Sequence, residues 1–364
     1  MAILSRSALR WAAPLAVVLV VGATSLVAST ATAEPSLPPT TPEQLLVDLQ
    51  NVSVDNLSGK VDQEANLGIP AIPGAGGRDS SEFNSLLTGT HKLGVWFADP
   101  NKARVALYGD LGESDFITNG TDVWIWSSQQ NKATHSTVPT DTGGTTAAPT
   151  PSDMPKTPQE AAQRILTELG PTTEVRTDSA VTVAGRPAYD LVLRPKDQGS
   201  LLTEARLAVD GETHLPLKAE VFAGSTTVFR IAYTEIDFSP PDPKLFDFTP
   251  PPGAEVTEKT PPNKADSSAT PGPSGTPSPD DVKVVGQGWT AVRISKVPAT
   301  LKSSGSSQGD EQLQAFLRQL PQVSGSWGSG RLLESTAFTA VLTDDGRLAI
   351  GSVAPDVVYA ALEK

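Results

Sequence analysis

The stretch LFDFTPPPGAEV, residues 245–256, closes a long run of segments in which apolar and polar residues mostly alternate. This alternation is typical of half-buried strands. The predicted strands are Leu57–Leu67, Lys92–Phe97, Arg104–Tyr108, Asp115–Thr118, Thr121–Ser127, Ala133–Val138, Glu174–Val183, Pro187–Arg194, Leu202–Val209, Leu215–Phe222 and Thr226–Phe238. Short turns rich in Gly and Asn join neighbours, so we expect an antiparallel meander. A sheet of this many strands curls and gains a concave side.

Two amphipathic helices are predicted beside this sheet. The first begins at Thr41, which can cap it, and Gln44 completes a capping box. The second begins at Thr157. Each must lay one apolar face on another surface, so both are candidates for a lid over the sheet. The lid residues are Leu45, Leu46 and Leu49 in the first helix, and Ile165, Leu166 and Leu169 in the second.

Residues 245–256 resemble the C-terminal signature of the LolA-like outer-membrane lipoprotein carriers. A second stretch, FITNGTDVWIW at 116–126, resembles that family's hairpin. The resemblance covers roughly residues 41–256. It implies an α+β fold with an incomplete antiparallel β-barrel, or half-barrel, under a helical lid. Acyl chains of a lipoprotein would lie between sheet and lid, without a cofactor.

The match to the carriers includes Pro100 and the strand after it, the Asn119-Gly120 hairpin with Trp124, and the start of the 245–256 stretch. Carriers of this family commonly place a basic residue just before the equivalent of Pro100, where it helps to hold the lid. This chain has Asp99 there, so it departs from the family at the lid latch.

The candidates for an apolar ligand cavity lie on four of the predicted strands. They are Leu93, Val95, Phe97, Val105, Leu107, Trp124, Trp126, Phe229 and Ile231. Trp124 and Trp126 share a strand that is apolar on both faces, so the pair either packs under a helix or lines a cavity. Each residue alone is typical of plain core. The set as a whole predicts a cavity.

Residues 258–280 are rich in Pro, Ser and Thr and almost free of apolar side chains, which is typical of a linker. A similar run at 138–155 predicts a flexible insertion. The linker divides a domain at 34–257 from a small α+β domain at 281–364. In the small domain we predict a strand Trp289–Val297, a helix Asp310–Leu320, strands Leu332–Leu342 and Arg347–Val353, and a helix Pro355–Leu362.

The two-domain arrangement is similar to that of the RseB-type periplasmic regulators. That resemblance implies a carrier-like domain that senses lipidic or envelope-stress ligands and a smaller domain that binds a membrane-bound anti-sigma factor.

An export signal is predicted at residues 1–33. Arg6 and Arg10 precede an apolar run, and Ala31-Thr32-Ala33 has the small residues that signal peptidase reads. The alternative is an uncleaved N-terminal anchor. The chain contains no Cys, which excludes lipid modification of a cysteine and disulfides. Its net charge of −13 argues against nucleic acid and anionic head groups as partners.

Catalytic and metal-binding motifs are weak. Gly305-Ser306-Ser307-Gln308-Gly309 fits a nucleophile elbow, but all three His residues precede it, whereas that fold needs a His after the Ser. No His lies within metal-ligand spacing of another, although a site made of carboxylates stays open. We therefore predict no catalytic residue, no metal and no enzyme.

Two functions remain. The first is an extracytoplasmic protein of the periplasm or cell envelope that binds and transfers a lipid or lipoprotein through its acyl chains, with a membrane-bound receptor as a partner. The second is an RseB-like co-regulator that binds a membrane anti-sigma factor.

Overall fold

The computed structural model describes residues 37–50, 52, 54–69, 83–98, 101–110, 112–137, 171–259, 282–296 and 308–364. Several predictions lie outside these ranges: the signal peptide, Asp99 with Pro100, the 138–155 insertion, the helix with Ile165, Leu166 and Leu169, and most of the linker. The described residues form two sheets with separate cores. We call residues 37–259 the N-terminal unit and 282–364 the C-terminal unit.

The N-terminal unit contains a twelve-stranded sheet. Its strands are β1 Asn56–Ala65, β2 Gly89–Ala98, β3 Lys102–Gly109, β4 Gly112–Asn119, β5 Asp122–Ser127, β6 Lys132–Thr137, β7 Thr173–Val183, β8 Arg186–Pro195, β9 Glu204–Asp210, β10 Pro216–Ala223, β11 Thr226–Asp237 and β12 Glu255–Lys259. Their order is β12-β6-β5-β4-β3-β2-β1-β11-β10-β9-β8-β7. The two outermost strands, β12 and β7, are not paired with each other. The sheet is therefore an incomplete barrel, as predicted.

Two meanders make up this sheet, β1 to β6 and β7 to β11, and the pairing of β1 with β11 joins them. The turn between β7 and β8 shows how the hairpins close. Ala184 and Gly185 both have positive φ, 49° and 77°, as the tightest hairpin turns require. The predicted antiparallel meander is confirmed, with one addition: β12 pairs in parallel with β6 and runs two residues into the predicted linker.

Helix α1, Pro42–Gln50, packs on the sheet through Leu45, which is fully buried against Leu191 and Val209. Thr41 caps the helix, because its hydroxyl accepts a bond of 3.2 Å from the backbone N–H of Gln44. The predicted capping box is only half formed. The Gln44 side chain donates to Asp48 at 2.8 Å instead of reaching back to Thr41.

The C-terminal unit contains a six-stranded antiparallel sheet. It is formed by β13 Val282–Val285, β14 Val292–Lys296, β15 Gln322–Gly325, β16 Gly328–Glu334, β17 Thr339–Thr343 and β18 Arg347–Gly351, in the order β13-β14-β18-β17-β16-β15. Helix α2, Gln308–Gln319, precedes β15. Helix α3, Pro355–Leu362, closes the chain as predicted and buries Val358 and Leu362 against Val341 and Ala349.

The predicted strand Leu332–Leu342 is wrong, since the structure divides it into β16 and β17. The interruption is a turn built on Ser335. Its hydroxyl accepts from the backbone N–H groups of Ala337 and Phe338 and donates to the Phe338 carbonyl. A Ser that satisfies neighbouring backbone groups competes with the strand ladder. The turn carries Ala337 and Phe338 toward the N-terminal unit.

Within the described part of the chain, no helix has the length and apolar character needed to span a membrane.

Candidate functional site

The two units meet through direct hydrogen bonds. The backbone N–H of Thr336 donates to the carbonyl of Leu67 at 3.1 Å, and that of Leu201 donates to Ser352 at 2.7 Å. The backbones approach closely here. A Cβ on Gly68, which has φ +72°, would lie 2.5 Å from the Thr336 hydroxyl. Such a position accepts only glycine, so the close approach of the two units here depends on Gly68.

A cavity of about 220 Å³ lies at this junction. Its lining comes from the ends of strands and turns of both units. The N-terminal unit contributes Ala65, Leu67, Leu86, Leu87, Leu202, Val221, Val228 and Phe229, and the C-terminal unit contributes Ala337, Phe338 and Ser352. Among the described residues that line it, Ser352 is the one with a polar side chain. The cavity therefore suits an uncharged, apolar group.

The exposure of the lining side chains separates the floor of the cavity from its rim. Val228 and Ala337 are 0% and 5% exposed, whereas Leu87 is 42% exposed. Because Leu87 is exposed beside the cavity, it offers further apolar contact to a ligand chain that extends out of the cavity. An apolar cavity of about 150 Å³ already takes a group as large as benzene. The junction thus has room for part of an acyl chain.

Buried polar residues position two of the lining leucines. Leu86 and Leu87 lie on a 3₁₀ helix, Phe83–Leu87, whose Leu86 carbonyl accepts a bond of 2.8 Å from the side-chain amide of Gln63. Nε2 of His91 lies 3.0 Å from the carbonyl oxygens of both Ser85 and Thr88, so this nitrogen carries the proton.

Gln63 and His91 are register partners on β1 and β2 and are buried. Sequence reasoning missed them because a lone Gln and a lone His on strands carry no motif. The sequence signal that could have identified them is a polar residue at a strand position that faces the core.

The structure disperses the predicted cavity residues. Phe229 lines the junction cavity, and Ile231 is buried two residues away on β11. Leu93, Val95, Val105 and Leu107 are buried in the larger core, and Phe97 packs against that core while half-buried. Leu93 pairs in register with Val61 and Leu107. Ligand binding by these core residues stays a prediction.

Trp124 and Trp126 lie on the opposite face of the sheet from Val105. The pairing registers align Arg104 with Ile117 and Ile117 with Trp124, and adjacent residues on β3 point to opposite faces. The Phe248 ring covers both indoles, with centroid distances of 5.3 Å to Trp124 and 5.8 Å to Trp126. The two Trp residues are therefore held under the 245–256 stretch. Their contact with a ligand also stays a prediction.

Arg104 anchors the 245–256 stretch to the same face. Its Nε donates to Asp115 at 2.7 Å, and its Nη1 lies 3.5 Å from the Leu245 carbonyl. Asp115 is 1% exposed. Its desolvation raises the pKa of this carboxyl, while the hydrogen bond and charge of Arg104 act in the opposite direction. Phe246, fully buried, completes the attachment.

The predicted lid residues pack on the sheet outside the cavity. Leu45, Leu46 and Leu49 pack on β8 and β9, and none of them lines the cavity. Their role as a lid stays a prediction, as does that of Ile165, Leu166 and Leu169 outside the described ranges. Across the described ranges, no cluster of three or more His, Asp and Glu residues of a kind that could hold a metal ion is found.

Comparison with known proteins gives likenesses of fold alone. No family model and no curated protein sequence match the chain. A solved structure of MucB is similar, with 14% identity, 87% of this chain and 94% of that chain covered, and a TM-score of 0.41. The MucA/MucB complex of Pseudomonas aeruginosa gives 15% identity, 88% and 95% coverage and a TM-score of 0.44.

A LolA superfamily protein from Nitrosomonas europaea gives 12% identity, 58% and 99% coverage and a TM-score of 0.21. MucB is an RseB-type protein, so both kinds of protein named from the sequence resemblance are among the matched structures. The identities and TM-scores are too low for these matches to carry an argument about ligand or partner.

Proposed function

We propose that this chain is an extracytoplasmic binding protein that holds part of the acyl chain of a lipid or lipoprotein in the cavity between its two units. One observation carries the proposal. The junction contains a cavity of about 220 Å³, and the described side chains that line it are apolar apart from Ser352. The predicted export signal supports the compartment, and the proposal includes no catalytic step.

The size of the cavity fits a ligand that must be released. Burial of each methylene contributes about 0.8 kcal/mol. Two chains of about 15 methylenes, fully sheltered, would gain roughly 24 kcal/mol, which exceeds the non-covalent ceiling of about 18–21 kcal/mol. Ligand sites that enclose a whole drug-sized molecule span about 300–1,000 Å³. The smaller junction cavity shelters only part of a chain, so binding stays reversible.

A chain-length series tests the proposal. The full-length mature protein would be titrated with saturated fatty acids from four to sixteen carbons, each kept below its micelle concentration. We expect the dissociation constant to fall about fourfold per added methylene. The affinity should stop increasing with chain length once the cavity is filled.

Other dependences of affinity on chain length lead to different conclusions. Affinity that keeps rising through the longest chains indicates a longer groove, such as one along the face of Leu93 and Val105. Absence of binding at every length contradicts the proposal. Native mass spectrometry with lipid extraction, on protein purified from its own host, identifies the natural ligand.

A co-regulator that binds a membrane-bound anti-sigma factor is the second candidate. The observation that favours it is that both units line the cavity, so an occupant contacts both at once. A ligand with different affinity for two arrangements of the units shifts the population between them. A pull-down from host membranes, with and without fatty acid, separates the candidates. A specific protein partner whose capture depends on the fatty acid supports the regulator.

A further inference from the structure

His135 joins the last strand of the twelve-stranded sheet to the rest of the N-terminal unit. It lies on β6, between Asp122 on β5 and Glu258 on β12. Its Nε2 is 3.0 Å from Asp122 Oδ1, and its Nδ1 is 2.8 Å from Glu258 Oε2. The imidazole also stacks on Trp124, with ring centroids 4.2 Å apart.

The two contacts require a charged imidazole. A neutral imidazole has one N–H and one lone pair, so it donates to only one of the two carboxylates. The second carboxylate would then face a lone pair. Only the imidazolium donates to both. The side chains of Asp122 and Glu258 are half or more exposed.

The other described contacts of strand β12 are few. At its start, the backbone N–H of Glu255 donates to the Asn131 carbonyl at 2.9 Å, and the Asn131 side chain donates to the Gly253 carbonyl at 2.8 Å. All five residues of β12 are exposed, and Val256 is 46% exposed, so apolar burial contributes little. Strand β12 is also joined to β6 by the parallel ladder. Among the described side chains, one further pair links the two strands without His135, namely the exposed pair Lys132–Glu255 at 3.2 Å. Exposed pairs of this kind contribute at most about 1 kcal/mol.

We propose that His135 is a pH-operated latch, which holds β12 on the edge of the sheet when protonated and releases it when neutral. The charged groups that face the imidazole are Asp122 from β5 and Glu258 from β12, with Lys132 and Glu255 farther along the same ladder. Desolvation lowers the pKa of His135. The hydrogen bonds and charges of the two carboxylates outweigh it, so the pKa of His135 lies above its ordinary value.

The direction of the switch follows. A group whose pKa is raised in the folded state stabilises the fold below its ordinary pKa, and this stabilisation is lost as the pH rises through the raised value. The latch is closed below the ordinary histidine pKa and opens as the pH rises through the raised pKa of His135. Release frees the edge of β6 for another strand and adds five residues to the connection between the units, about 16 Å at ~3.3 Å each.

Spin labels can report the state of the latch. Thr134 and Thr257 are register partners on the two strands, and each is adjacent to a latch residue. The chain contains no Cys, so Thr134→Cys and Thr257→Cys label these positions alone. We expect strong dipolar broadening at pH 5.5 that is lost by pH 9. A matched pair, Thr118→Cys with Val123→Cys on the β4–β5 hairpin, should stay broadened at both values.

Two further variants separate a latch from a general loosening of the sheet. Glu258→Gln replaces the carboxylate with an amide, which can donate to a neutral imidazole, so the broadening should persist at pH 9. His135→Gln should abolish the pH dependence. Circular dichroism confirms that each variant folds.

Broadening that is unchanged from pH 5.5 to 9 in the parent protein, or a Glu258→Gln variant that opens like the parent, overturns the proposal. NMR titration of the His135 ring gives an independent check, and a pKa at or below the ordinary histidine value also overturns it.

Discussion

The indole N–H of Trp289 donates a hydrogen bond of 2.8 Å to the hydroxyl of Thr173, although Trp289 lies on a 3₁₀ turn of the C-terminal unit, Gly288–Thr290, and Thr173 belongs to the N-terminal unit. Thr173 is 2% exposed and begins β7, an edge strand of the larger sheet. Beside this pair, a Cβ on Gly288 would lie 2.3 Å from the Thr172 hydroxyl. The junction is therefore fixed at this second place as well as at the cavity.

Removing one partner of this bond should weaken the junction between the two units and lower the free energy of unfolding. Trp289→Phe leaves the buried Thr173 hydroxyl without its donor, which costs about 1–3 kcal/mol. The double variant Trp289→Phe with Thr173→Val should cost less than the sum of the single changes. Calorimetry measures both quantities. Additive costs would show that the bond does not stabilise the junction.

Asp210 is expected to be a strong determinant of stability in the N-terminal unit. Arg186 donates to it twice, at 2.7 and 2.8 Å, and Thr213 adds two further bonds. Asp210→Asn should lower the free energy of unfolding by about 3 kcal/mol, because Arg186 loses its buried partner. The matched control is Glu212→Gln. Glu212 also bonds Arg186 but is 82% exposed, so it should cost less than about 1 kcal/mol.

The same pair gives a pH dependence. Burial alone raises the pKa of Asp210, but the bonds from Arg186 and Thr213 outweigh it and hold that pKa below its ordinary value. A lowered pKa contributes stability above the ordinary aspartate value of 3.8, and this stability is lost as the pH falls through the lowered value. Urea unfolding between pH 2 and 6 should show this loss in the parent protein. A loss of the same size in Asp210→Asn would contradict the assignment.

Much of the fold follows from the sequence because burial drives it. The alternation in β2 and β3 reflects one buried face, and each predicted strand of the larger sheet has a counterpart. Strand β12 was missed for the opposite reason. Its sequence, Glu255–Lys259, has no apolar face, and β6 is the strand that it pairs with among the described residues. An exposed edge strand leaves no periodic signal.

The candidate site was harder to predict. The face on which Trp124 lies depends on the registers of β3, β4 and β5, which no local pattern specifies. The cavity depends on contacts such as that of Leu67 with Thr336, which lie on different units. Phe229 was predicted to line a cavity because it is apolar and inward. Leu202 and Phe338 were not, since their role appears only when the units meet.

Trp126→Ala tests whether the ligand lies on the indole face or at the junction. Trp126 is 6% exposed and packs on Phe248, so its loss should lower the free energy of unfolding by about 3–5 kcal/mol. If the ligand binds at the junction, the affinity for a fatty acid should stay unchanged in the folded variant. Isothermal titration below the unfolding transition measures it. A large loss of affinity would support the earlier expectation that this Trp lines the cavity.

The last prediction uses two neighbouring leucines as a matched pair. Leu201 and Leu202 are both half-buried and lie in the segment that meets the C-terminal unit, but only Leu202 lines the cavity among the described residues. Leu202→Trp places an indole in a space of about 220 Å³ and should weaken acyl-chain binding by roughly tenfold or more, about 1.4 kcal/mol. Leu201→Trp makes the same chemical change one residue away and should leave affinity within about twofold, since the bond of its backbone N–H to Ser352 does not involve the side chain.

Fatty-acid titration of both variants, with thermal unfolding as the check on folding, gives the comparison. Equal loss of affinity in the two variants would mean that the junction is merely disturbed. No loss in Leu202→Trp would place the acyl chain elsewhere on the protein.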